Sequence, residues 1–186
     1  MVRIRKSAWI EGHRLRLRNA VGGDAEFILG LRQDPARNAH LSITSPRLED
    51  QRAWLAGYAA DGDQAYFIIE SLDGGIPLGT VRLYDARGDS FCWGSWMLVP
   101  AAPPLAAIES ALMVYRYALD LGFRAAHFQV QRGNATVCRF HENFGARRVG
   151  EDNRQIHYAI DVGAIERSLL RYRRFLPGGI RSGPRI

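Results

Sequence analysis

Strict alternation of polar and apolar residues in His13-Arg14-Leu15-Arg16-Leu17-Arg18 predicts a first strand that buries Leu15 and Leu17. Gly23-Asp24 then opens a helical pattern with Phe27, Ile28 and Leu31 on one face, ended by Asp34-Pro35. Turn residues fill 35–46, and Leu48, Trp54, Leu55 and Tyr58 mark the apolar side of a second helix reaching about Ala60. Ala65 to Glu70, the turn Asp73-Gly74-Gly75 and the return strand Ile76 to Tyr84 form a hairpin, and Ser90 to Val99 extends it to an antiparallel meander. Pro103-Pro104 starts the strongest helical pattern, with Leu105, Ile108, Leu112, Tyr115 and Leu119 on one face and Leu121-Gly122 at its close. A short strand at 126–130 follows, and Asn134 caps a helix that Gly145 stops. A hairpin at 147–161 and an amphipathic helix over 164–176 complete the chain. The order β α α β β β α β α β β predicts an α+β, three-layer domain with a mixed central sheet of about seven strands flanked by helices, plus one extra C-terminal helix.

Composition adds compartment and partner. The 186 residues contain two cysteines, Cys92 and Cys138, too far apart for a CxxC pair, so neither a disulfide framework nor a zinc site is expected and the compartment reads as reducing. No apolar stretch has signal-peptide or membrane-spanning length, so the expected location is the cytoplasm with no membrane partner. The formal charge of +6 brings nucleic acid to mind, and nearly all the positive charge is arginine, Lys6 being the single lysine. Its distribution argues otherwise. Arg3, Arg5, Lys6, Arg14, Arg16 and Arg18 face only Glu11, and six arginines after residue 162 face only Glu166, so the stretch between these ends is mildly acidic. No basic recognition helix or sheet face is visible inside the predicted fold, so nucleic acid is an unlikely partner. The division drawn from this is a domain over 1–162 and a basic helix and tail over 163–186.

No nucleophile elbow, Walker loop, HExxH or dinucleotide GxGxxG is present. The informative stretch is the strand, helix, strand, helix run from Ser90 to Gly145. Residues 134–146, NATVCRFHENFGA, match a signature of asparagine, several residues, an aromatic and glycine. With that segment and its order of elements, the chain resembles, over residues 14–161, the GNAT superfamily of acyl-CoA-dependent N-acyltransferases. His141 stands where many members carry a tyrosine.

The resemblance implies that the strand through Met97, Leu98 and Val99 offers its backbone to the pantetheine arm of acetyl-CoA, and that the N–H groups of Leu105, Ala106 and Ala107 face the cofactor's pyrophosphate at a helix N-terminus. It implies direct attack of an amine on the thioester, with an acid for the departing thiolate. One departure stands out: Val99-Pro100-Ala101-Ala102-Pro103-Pro104 has no glycine where the family's phosphate loop has them, and three prolines remove three N–H donors.

His141 is the candidate acid, an ordinary helix histidine being the alternative. Asn134 is a helix cap and a candidate cofactor contact. Glu70 is a candidate water-linked base or a solvated strand-end residue, and Glu109, one residue off its helix's apolar stripe, reads as solvated. Tyr84, Trp93 and Trp96 are either core or a platform for a sugar or base. Asn38 and His40, in the loop between the first helices, are candidate acceptor contacts. The expected function is acetyl transfer to a primary amine, first a nucleotide-linked amino sugar and second a protein N-terminus. A non-catalytic binding module is the reading from another class, and a homodimer is compatible with either.

Overall fold

The computed structural model describes residues 2–35 and 44–186. Nine strands form one sheet, in the order β7-β8-β6-β5-β4-β3-β2-β1-β9. They are β1 (Trp9–Glu11), β2 (Leu15–Asn19), β3 (Ala65–Ser71), β4 (Pro77–Arg87), β5 (Ser90–Leu98), β6 (Ala125–Gln131), β7 (Arg147–Glu151), β8 (Gln155–Asp161) and β9 (Arg181–Ser182). The helices are α1 (Ala25–Gln33), α2 (Leu48–Ala60), α3 (Ala106–Asp120), α4 (Ala135–Asn143) and α5 (Val162–Arg171). The two strands beyond the expected seven come from the chain ends: β1 pairs with both β2 and β9. Arg181 in β9 also reaches the Glu11 carboxylate at 2.7 Å.

Helices cover both faces, which is why β3 reads as an unbroken apolar run rather than an alternating one. Ala65, Phe67 and Ile69 join the large core under α3, α4 and α5, while Tyr66 and Ile68 join a second cluster with Ile28 and Leu55 under α1 and α2. α3 is buried nearly all round, so the expected single apolar face is too narrow a description: Ser110, Ala111, Met113 and Tyr117 are as enclosed as Leu112 and Tyr115. At about 1.5–3 kcal/mol for each large apolar side chain removed from water, this helix is the main anchor of the domain.

Glu109 is the clearest correction. It is 4% exposed rather than solvated. Its Oε1 accepts the backbone N–H groups of His13, Arg14 and Leu15 at 2.7, 2.7 and 3.0 Å, clamping the β1–β2 turn to the first turn of α3. A Cβ on Gly12 would come 2.7 Å from that same oxygen, so the turn can close over the carboxylate only with glycine there. The expected last helix is shorter than 164–176: α5 ends at Arg171 and a 3-10 turn carries Arg173–Phe175. Ser168 of α5 donates to the Phe144 carbonyl at 2.6 Å, just before Gly145, whose φ of +93° ends α4 in the left-handed region.

Candidate active site

The sheet opens in its middle. β5 and β6 run parallel and pair only through Ser90–Cys92 with Ala125–His127. Beyond that point β5 stays with β4 as far as Leu98, and β6 stays with β8 as far as Gln131, so the two strands separate into a wedge. Two local features steer β5 away. The β4–β5 register slips between Thr80 and Arg82 opposite a bulge at Ser95, whose φ is +46° and whose carbonyl accepts from Thr80 Oγ1 at 2.7 Å. Further along, a Cβ on Gly79 would overlap the Met97 carbonyl oxygen, so only glycine lets β4 approach β5 this closely.

A cavity of about 300 Å³ fills the wedge and brings together five residues singled out from sequence: Tyr84, Trp93, Trp96, Asn134 and His141. Asn134 caps α4, its Oδ1 accepting from Val137 N–H at 3.3 Å, and also lines the cavity. Trp96 is fixed from behind, its Nε1 donating to Ser110 Oγ of α3 at 3.1 Å. The tryptophans are both core and wall: Trp93 packs on Tyr115 and Phe128 and still faces the cavity.

His141 is 5% exposed, in a cage of Trp93, Trp96, Phe128 and Phe140 rings, with Nδ1 shielded from solvent and without a partner. Burial pulls its pKa down to about 4. At pH 7 this imidazole is therefore uncharged, so as a candidate acid it has only the N–H of a neutral ring to offer.

The remaining expectations fare differently. Glu70 does not line the wedge. Its carboxylate is held by Arg18 Nε at 3.1 Å and Arg16 Nη1 at 3.4 Å, so it is neither a solvated strand-end residue nor free to act as a base. Met97 is buried in β5, and the Val99 N–H is taken by the Leu78 carbonyl at 2.8 Å, which leaves Val99 bound to β4 rather than open to a ligand. At the start of α3, the Ala106 N–H is used by Pro103 O at 2.9 Å, and Leu105 is 43% exposed at the rim. Ala107 follows in the first turn, its carbonyl accepting from Ser110 Oγ. Asn38 and His40 lie outside the described residues.

Arg32, Arg82 and Ser95, which sequence reasoning passed over, also line this region. A second cavity of about 360 Å³, on the α1–α2 side of the sheet, is lined by Trp54, Arg32, Arg82 and Ser95 among others. Arg32, Arg82 and Ser95 line the wedge as well, so the two cavities meet there. Burial pulls Arg32 below its ordinary pKa, and the positive charge of Arg82 adds to the effect. Among the described residues no group of three or more His, Cys, Asp or Glu side chains is placed to hold a metal ion, and no helix is long and apolar enough to cross a membrane.

The frame of the site is thus a mixed sheet with two parallel strands splayed in its centre and a helix N-terminus beyond the splay. The chain belongs to the GNAT acetyltransferase family: the model for an acetyltransferase (GNAT) domain matches residues 14–147. A solved structure described as apo FdhC, a nucleotide-linked sugar GNAT, is 36% identical, covers 94% of this chain and 99% of its own, and superposes with a TM-score of 0.80. A GCN5-related N-acetyltransferase from Brucella melitensis (19% identity, 95% and 88% coverage, TM-score 0.78) shares the fold. So does a spermidine N-acetyltransferase chimera of Vibrio cholerae (16%, 83% and 99%, TM-score 0.70). No curated protein matches the chain.

Proposed function

We propose that the protein transfers an acyl group, acetyl in the first instance, from acyl-CoA to the primary amine of a nucleotide-linked amino sugar. The observation that carries this reading is the meeting of two cavities: a wedge between β5 and β6 that fits a pantetheine arm, and a cationic, aromatic-walled chamber that opens into it at Arg82 and Ser95. The 36% identity to a nucleotide-linked sugar GNAT supports the same acceptor class.

The fit to CoA rests on the free edge of β5 past Cys92 and on the first turn of α3. There the N–H groups of Leu105 and Ala107 would serve the pyrophosphate, and that of Ala106 stays with Pro103. Met97 and Leu98 would flank the arm and Asn134 would close over it. The amine nitrogen attacks the thioester carbonyl, forming the amide C–N bond and breaking the C–S bond; the nitrogen loses one proton and the thiolate takes one. Neutral His141 would present a hydrogen bond to the sulfur as charge develops, in a cage dry enough to make that bond count. Trp93, Trp96 and Tyr84 hold the sugar beside the thioester.

The test is a free-thiol assay with acetyl-CoA, offering amino-sugar nucleotides and, in parallel, short peptides with free N-termini. Turnover with the sugar nucleotides is the expected result. Turnover with peptides alone would move the acceptor to protein N-termini. Absence of acyl-CoA binding by calorimetry would leave a non-catalytic module.

A further inference from the structure

Arg82 holds the place where the two cavities join, and its surroundings leave its charge unanswered. The side chain leaves β4 between two aromatic rings, its guanidinium 4.3 Å from the Tyr84 ring centroid and 5.5 Å from that of Trp54. Such cation–π contacts favour this placement of the fork. Its Nε is shielded from solvent and makes no hydrogen bond, and no carboxylate among the described residues pairs with it. A shielded donor without an acceptor is costly. A second guanidinium, Arg32, whose Nε donates to Thr44 Oγ1 at 2.5 Å, lines the same junction, and the charge of Arg82 is one of the influences that lower its pKa. Asp50, the one acid in the outer chamber, is engaged by Ser45 at 2.5 Å.

We infer that Arg82 is the phosphate anchor of the acceptor site: its fork, with Arg32 beside it, binds the diphosphate of the acceptor at the junction. The base then lies in the outer chamber against Trp54, and the amino sugar enters the wedge toward His141. This deepens the proposed acceptor class and rests on it. Planar guanidinium groups match phosphate oxygens in a two-pronged geometry that an ammonium cannot reproduce. The same charge discriminates: a polyamine carrying several positive charges meets two guanidinium groups, whereas a phosphorylated amine meets its counterions.

The experiment titrates uridine diphosphate and thymidine diphosphate into the full-length protein saturated with CoA, so that the cofactor's own pyrophosphate site is filled. Tryptophan fluorescence reports binding. The comparison is with Arg82→Gln, which keeps most of the side-chain length, and with Arg82→Lys, which keeps the charge and loses the fork. Loss of a charge-assisted pair predicts at least about a tenfold rise in nucleotide Kd for Arg82→Gln, with partial recovery in Arg82→Lys and an unchanged CoA Kd. In turnover, KM for the nucleotide-linked sugar should rise in parallel, while the same amino sugar without its nucleotide responds little. Equal nucleotide binding by the wild type and both variants, or no binding by the wild type while it acylates sugar nucleotides, overturns the anchor and leaves the proposed function standing. Binding that depends on Arg82 in a protein that acylates no amino-sugar nucleotide keeps the anchor and overturns the proposed acceptor. Thermal melts of both variants within a few degrees of the wild type exclude misfolding, and Arg82→Lys carries the comparison if Arg82→Gln does not fold.

Discussion

His141 makes a quantitative link between the site and folding stability. Unfolded, its ring takes a proton near the ordinary value of 6.5; folded, burial among aromatic rings lowers this to about 4. The folded state therefore binds the proton less readily than the unfolded state. Its stability is complete above pH 6.5 and drains away as the pH falls from 6.5 toward 4. Linkage over that gap gives a loss of about 2 kcal/mol between pH 7.5 and 5, and about 3 kcal/mol by pH 4. The perturbation is His141→Phe, which keeps a ring among Trp93, Phe128 and Phe140 and removes the titrating group. Urea unfolding followed by circular dichroism at pH 7.5 and pH 5 should show the wild type losing about 2 kcal/mol more than the variant, other titrating groups cancelling in the comparison. If the two proteins lose stability in parallel, the ring is not buried uncharged, and the description of the cage is wrong.

Glu109→Ala strips three backbone N–H groups of their acceptor and should cost at least about 3 kcal/mol in urea unfolding, with Glu109→Gln, which retains an oxygen, costing less. Glu70→Gln should lower stability by about 1 kcal/mol, because its arginine partners are partly exposed, and should leave kcat within about twofold; a fall of a hundredfold or more would restore Glu70 as a base. The pH dependence of kcat/KM should follow the acceptor amine, rising through its pKa with no limb near 6.5, and a limb there that vanishes in His141→Phe would show a histidine titrating in the reaction.

Much of the scaffold was legible because its signals are local. The meander follows from alternation and from Asp73-Gly74-Gly75, α4 from Asn134 and Gly145, and α3 from its long apolar pattern. β1 and β9 escaped because strands of three and two residues carry no periodicity; β1 exists through its pairing with β2 and β9, and β9 through Ile10–Ser182 and Glu11–Arg181, partners almost the whole chain apart. Glu109 escaped for a related reason. One residue off an apolar stripe normally means solvent, and nothing near it in sequence reveals that residues 13–15 will bring three amides to its carboxylate. In the site, Asn134 and His141 were found through a contiguous motif, and the tryptophans as aromatics gathered on strands. Arg82, Ser95 and Trp54 belong to no motif: they are joined by a bulge and by the packing of α2 on the sheet, both products of tertiary structure.

The arginine count matters less than where the arginines sit. Most of the excess positive charge is at the chain ends: Arg167 and Arg171 are on α5, Arg173 and Arg174 in the turn after it, and at the β1–β9 edge Arg181 and Arg16 share Glu11. The charge proposed to meet the acceptor is in the mildly acidic body, at Arg32 and Arg82, which line both cavities. For the proposed transfer to an amine, the wedge offers no evident base. Among the described residues lining the wedge there is no carboxylate, His141 is a weak base at a pKa of about 4, and burial pushes the Tyr84 phenol upward. The proposed acceptor amine would therefore shed its proton to water before it attacks, its neutral form being the reactive one. Arg32 and Arg82, their charge met by the diphosphate they would bind, would act on affinity and not on that proton. An acceptor without phosphate would keep the same amine chemistry and forfeit the binding.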